Sequence, residues 1–132
     1  FKFKISNYNI EGEKILGDML YSKLYASSVR ENDSTNISNL DLLINISKEK
    51  NSTAKDSSGK TLEYKIILRT KIKINDFATG KKILNREFIS SSSYKIQNQY
   101  SETLRVENQT IENLINKSYQ EILVYLSKNI ES

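Results

Sequence analysis

Between residues 62 and 74 the sequence alternates apolar and charged side chains, and this pattern constrains the fold more than any other feature. The apolar residues share one register: Leu62, Tyr64, Ile66, Leu68, Ile72 and Ile74. The other register is mostly charged, with Ile67 as its exception: Glu63, Lys65, Arg69, Lys71 and Lys73. A period of two is typical of a β-strand with one buried face. The pattern therefore predicts a strand whose apolar face is covered by another layer.

Three further segments are predicted to be strands, at residues 1–6, 40–47 and 82–96. Residues 76–81 predict a hairpin turn in which Gly80 can adopt a positive φ. The polar stretches 30–39 and 51–60 are expected to be connections, the second a flexible one. The run from Ser90 to Ser93 is weakly patterned, which allows a bulge or a frayed edge there.

Apolar residues at helical spacing predict helices over residues 13–28 and 101–130. The first stripe contains Ile15, Leu16, Met19, Leu20 and Leu24; the second contains Leu104, Ile111, Leu114, Ile115, Ile122, Leu126 and Ile130. The order β-α-β-β-β-α predicts an α+β, two-layer sandwich in which two helices cover one face of a four-stranded, mainly antiparallel sheet. A chain of 132 residues fits one domain, so residues 1–132 are interpreted as a single unit.

The composition argues against catalysis. The sequence contains no His and no Cys, which removes the commonest general base, the thiol nucleophile and the usual zinc ligands. The acidic residues of the last helix are not spaced to converge as a pair. We therefore expect no enzyme activity, no metal and no cofactor.

A net charge of +4 suits an anionic partner, although many soluble domains carry as much without one. In an antiparallel meander, the end of strand two, the start of strand three and the end of strand four share one edge. Candidate phosphate ligands gather at this basic end, and the amino terminus of the last helix adds positive charge. The cations expected there are Lys48, Lys50, Lys55, Lys60, Lys95 and Arg105. The candidate phosphate ligands among them are Lys55, Lys60, Lys95 and Arg105.

The charged register of the third strand forms a second candidate surface. Its cations are Lys65, Arg69, Lys71 and Lys73. They are interpreted as facing a partner protein, and a merely solvated face that discourages aggregation remains an alternative. RNA-binding sheets also have basic faces, but they need exposed aromatic rings for bases to stack on.

Several short segments follow one another between residues 60 and 126 in a recognisable order and spacing. These are the strand at 62–68, the hairpin at 76–81, Arg86-Glu87-Phe88, Ser93-Tyr94, Tyr100 and Glu107 before a long amphipathic helix. In this order and spacing, rather than in one motif, the chain resembles the LptE family of lipopolysaccharide-assembly lipoproteins, in its divergent alphaproteobacterial form.

The resemblance implies a non-catalytic outer-membrane subunit that binds lipopolysaccharide and sits inside an LptD-like β-barrel. It implies a periplasmic location and a lipidated amino terminus that lies outside this sequence. In the family, basic residues before the third strand and at the start of the last helix are associated with lipopolysaccharide, which points to Lys55, Lys60 and Arg105. No nucleic acid is expected as a partner. The alternative is a basic α+β module that binds nucleic acid or another envelope component.

Overall fold

The protein was analysed as a computed structural model that describes residues 2–29 and 37–130. The elements, in chain order, are β1 (Lys2–Gly12), α1 (Lys14–Ser27), β2 (Ile37–Lys55), β3 (Thr61–Asp76), β4 (Lys82–Lys95) and α2 (Tyr100–Ile130). The predicted order β-α-β-β-β-α is confirmed. Part of the loop predicted at 30–39 lies outside the described residues, and β2 already begins at Ile37.

The four strands form one sheet in the order β1-β2-β3-β4. The pairs β2–β3 and β3–β4 are antiparallel, whereas β1 lies parallel to β2 and reaches it through the α1 crossover. Both helices pack on the same face of the sheet, which we call the inner face. The predicted α+β, two-layer sandwich is therefore confirmed, with one parallel pair in a mainly antiparallel sheet.

The core lies between the inner face and the helices. Its fully buried strand residues are Leu40, Ile44, Ile46, Ile66, Leu68, Ile72 and Ile74, and the helices add Leu20, Leu24, Ile115, Ile122 and Leu126. Ile15 is an exception to the predicted stripe of α1, since 77% of it is exposed. It occupies the first turn of the helix, beyond the edge of the sheet-facing stripe.

The hairpin between β2 and β3 is longer than the sequence pattern indicates. The predicted flexible connection at 51–60 is wrong, because β2 continues to Lys55 and only residues 56–60 form the turn. Asp56 closes this turn by accepting hydrogen bonds at Oδ1 from the backbone N–H groups of Ser58 and Lys60. Leu62 is 47% exposed, because this part of the hairpin extends past the apolar layer.

The other predicted irregularities also differ from the structure. Strand β1 runs to Gly12, and a register shift between Ile5 and Asn7 interrupts its alternation. The bulge allowed near Ser90 is wrong, because β3 and β4 keep one register from the Ile74–Leu84 pair to the Glu63–Lys95 pair. The hairpin turn at 76–81 is confirmed, and Gly80 there has a φ of +74°.

Candidate functional site

A cleft opens where the first turns of α2 cross the sheet beside the β2–β3 hairpin. Its volume is about 370 Å³. We call it the open-end cleft, and it is lined by Lys50, Tyr64, Tyr94, Ile96, Gln97, Tyr100, Thr103, Leu104 and Glu107. Leu104 was predicted to belong to the helix core stripe, but 38% of it is exposed and it forms part of this wall.

An ion pair occupies the floor of the cleft. The Nζ of Lys50 lies 2.6 Å from Oε1 of Glu107, and the Tyr94 hydroxyl donates to the same oxygen at 2.5 Å. The ammonium also lies 4.4 Å from the centre of the Tyr64 ring, in cation–π geometry. Lys50 is on the inner face because its β2 position pairs with Ile66 of β3. Its long side chain therefore runs along apolar surface to reach α2.

These contacts shift the pKa of each member of the group. The hydrogen bond to Glu107 raises the pKa of Lys50 above its ordinary value. Burial raises the pKa of Glu107, but the hydrogen bonds from Lys50 and Tyr94 outweigh it and hold that pKa below the ordinary value. Burial, followed by the bond to Glu107, raises the pKa of Tyr94. At neutral pH the cleft floor is thus a charged, internally satisfied pair rather than a free cation.

The predicted phosphate ligands lie at the end of the sheet that carries the β2–β3 turn and the beginning of α2. Lys55 and Lys60 flank the turn of the β2–β3 hairpin, and Lys95 ends β4 opposite Glu63. All three are exposed, and the structure records no ion pair between their ammonium groups and any other described residue.

Arg105 differs from these three lysines. Its Nε donates to both carboxylate oxygens of Glu102, at 2.8 and 2.9 Å. Residues three apart on a helix are neighbours, so this pair forms within α2 itself. The Glu102 carboxylate thus neutralises part of the charge that Arg105 could offer to an anion, although the recorded contacts use only its Nε.

The predicted partner-facing cations lie on the face of the sheet away from the helices, which we call the outer face. Lys65, Arg69, Lys71 and Lys73 share it with a matching set of acids that the register places there: Glu11, Asp41, Glu49, Glu63 and Glu87. Glu87 lies directly opposite Lys71. The outer face is therefore a mixed-charge surface and not a basic one. Within the described residues, the Nη1 of Arg69 is shielded from solvent without a hydrogen-bond partner.

Among the described residues, no group of three or more His, Cys, Asp and Glu residues is placed to hold a metal ion. Among the described helices, none is both long enough and apolar enough to span a membrane.

The fold is similar to that of several solved bacterial lipoproteins. The chain aligns with rare lipoprotein B from Shewanella oneidensis at a TM-score of 0.64 and 14% identity, covering 93% of this chain and 95% of that one. It aligns with a minor lipoprotein from Acinetobacter baumannii at a TM-score of 0.66 and 18% identity, covering 98% and 92%. A putative lipoprotein from Caulobacter crescentus gives a TM-score of 0.60 and 12% identity, covering 96% and 88%.

Sequence comparison adds no closer relationship, because no protein-family model and no curated protein matches the chain. The likeness to these lipoproteins is therefore one of fold.

Proposed function

We propose that this chain is a non-catalytic subunit of the bacterial outer membrane that binds lipopolysaccharide and supports an LptD-like β-barrel from its periplasmic side. The observation that carries the proposal is the fold, which matches rare lipoprotein B over nearly the whole of both chains. The LptE resemblance of residues 60–126 points the same way. A lipidated amino terminus ahead of the present sequence would hold the domain at the membrane.

The cations at the basic end of the sheet support a role in binding lipid phosphates. Lys55, Lys60 and Lys95 have exposed ammonium groups that are not committed to other described residues. Ammonium groups form charge-assisted hydrogen bonds with phosphate oxygens. The aromatic open-end cleft lies beside this end, so acyl or sugar groups of the same ligand have an amphipathic surface within reach.

The outer face supports contact with a polar protein wall. Its alternating charges offer hydrogen-bond donors and acceptors to polar side chains of a partner. Nucleic acid is the less supported partner, since every aromatic residue of the described strands is on the inner face. Bases would find no ring to stack on at the outer face.

Two triple variants test this proposal. Replacing Lys55, Lys60 and Lys95 by Glu should weaken binding to lipopolysaccharide-containing vesicles about tenfold or more, because several charge-assisted contacts are lost together. The matched variant replaces Lys65, Lys71 and Lys73 by Glu, and it should instead reduce co-purification with a co-expressed LptD-like barrel. The two variants should lose similar, small amounts of stability, because each places one new carboxylate directly opposite an existing one, at the Lys95–Glu63 pair and at the Lys71–Glu87 pair.

Several results would contradict the proposal. Equal vesicle binding by the wild type and by the variant at Lys55, Lys60 and Lys95 would rule out the proposed lipid site. Failure of the wild type to co-purify with any LptD-like barrel would remove the barrel partner. Salt-sensitive binding to a random oligonucleotide, stronger than binding to the vesicles, would favour the nucleic-acid alternative.

A further inference from the structure

The two edge strands of the sheet are protected to different degrees. The edge strand β1 contains a register shift between Ile5 and Asn7, and the backbone N–H of Val29 donates to its Phe3 carbonyl. Both features hinder the approach of another strand. Strand β4 has neither feature between Leu84 and Lys95, and within the described chain no backbone hydrogen bond reaches its outer edge. Its peptide groups are free to pair with another strand.

The side chains of β4 also favour close approach. Residues 88–94 carry no charge, and four consecutive serines, Ser90 to Ser93, occupy the centre of the strand. Charged side chains on an edge are a common way to prevent pairing, and serine is too short to block it. Next to this run, Ile89 is 57% exposed on the outer face. An unprotected edge beside an exposed aliphatic side chain is a docking surface for a strand.

We propose that β4 pairs antiparallel with β4 of a second copy of this chain, about a two-fold axis that passes through Ser91. The two sheets would then join into one continuous sheet with the helices of both copies on the same side. This inference goes beyond the proposed function and rests on the edge of the sheet and on its charges. Because Lys95 is shared with the proposed lipid site, dimerisation is tested in the absence of lipid.

Charge complementarity selects both the second copy and the register. With Ser91 on the axis, Glu87 of one copy lies opposite Lys95 of the other, and the same pair recurs on the far side of the axis. Glu87 and Lys95 are both on the outer face of the sheet. Within one copy, Glu87 lies opposite Lys71 of β3, and Lys95 lies opposite Glu63 of β3. The joined sheet thus has rows that alternate in sign across the interface, which stabilises sheets. Registers centred on Ser90 or Ile89 oppose Glu87 with Ser93 or Ser91 and lose this match.

Cysteine cross-linking tests the geometry, since the chain has no Cys of its own. Directly opposed residues of an antiparallel pair have Cα atoms about 4.5–5.5 Å apart, within the range that a disulfide spans. Ser91→Cys should therefore give a disulfide-linked dimer under mild oxidation. Ser47→Cys is the matched control, because Ser47 is exposed on β2 and remote from the axis. Equal rates for the two variants would mean random collision and would overturn the proposal.

A charge swap tests the register in the unmodified dimer. Sedimentation velocity over a concentration series should show weaker dimerisation for Glu87→Lys and for Lys95→Glu, each by about tenfold, because like charges oppose at two symmetric places. The double variant restores opposite signs across the axis and should recover most of the lost affinity. A double variant no better than the single ones would overturn the register, and a wild-type protein monomeric at every concentration would overturn the dimer.

Discussion

The ammonium of Lys50 and the carboxylate of Glu107 are 2.6 Å apart, and they join the exposed half of β2 to the beginning of α2. The side chain of Glu107 is only 18% exposed, so the pair is partly withdrawn from water. An ion pair of this kind is weak evidence for net stability, but removing one partner leaves the other without compensation. The pair therefore holds the amino-terminal turns of α2 against the sheet and fixes the shape of the open-end cleft.

Glu107→Gln should lower the free energy of unfolding by about 1–2 kcal/mol at neutral pH, because it weakens hydrogen bonds to a charged group. The folded-state pKa of Glu107 lies below its ordinary value of 4.5. Its contribution is therefore present above that pH and is lost as the pH falls through the folded-state pKa. Urea denaturation at a series of pH values measures this, with exposed Glu112→Gln as the control. A difference between variant and wild type that stays constant down to pH 3 would contradict the assignment.

Leu68→Ala should cost about 2–5 kcal/mol, because the side chain is fully buried between β3 and the helices. Leu62→Ala, on the same strand and in the same register, should cost about 0.5 kcal/mol or less, since that residue lies on the exposed hairpin. Chemical denaturation of the two variants checks the contrast. Equal losses of unfolding free energy would mean that Leu62 is as well buried in solution as Leu68.

Gly17→Ala tests the contact between α1 and β1. A Cβ atom at this position would lie 2.3 Å from Cγ2 of Ile10. We expect a loss of about 1–3 kcal/mol from overpacking, reduced by about 1 kcal/mol through the better helix propensity of Ala. In an Ile10→Ala background the same substitution should be neutral or stabilising. If the double variant shows no such coupling in thermal melts, the close approach is not what makes Gly17 necessary.

Arg105 and Lys60 should differ in their effect on lipid binding. Lys60→Gln removes an exposed cation for which no ion pair is recorded with a described residue, whereas Arg105→Gln removes one that is paired with Glu102. We therefore expect the Lys60 variant to weaken vesicle binding more, and the difference to shrink with added salt, because exposed charges are screened over about 8 Å at physiological ionic strength. A larger effect at Arg105 would show that its pairing with Glu102 does not keep the guanidinium from binding lipid phosphate.

The elements that the sequence predicted well are those that lie against the helices. Residues 66–74 alternate because one side meets the core and the other meets water. On β2 the alternation loses its cause beyond Ile46, since every residue from Ser47 to Lys55 is exposed. The polar pattern there looked like a loop, although the backbone pairing continues to the Lys55–Thr61 pair.

The contacts of the candidate site were less accessible to sequence analysis. Lys50 looked like one more cation of the basic end, and its partner Glu107 is far away in the chain on another element. Only the crossing of α2 over the sheet brings the two together. The ion pair of Arg105 with Glu102 could have been predicted, because Glu102 lies three residues before it on a predicted helix.

The parallel pairing of β1 with β2 has a consequence for the order in which the chain assembles. Strands β2, β3 and β4 close through short turns, so their pairing requires little loop entropy, whereas β1 must wait for a crossover to form. We expect β1 and α1 to dock last, although they leave the ribosome first. A membrane anchor joined to β1 would then be attached to the last part of the domain to fold. The hairpins can form before the amino terminus is anchored.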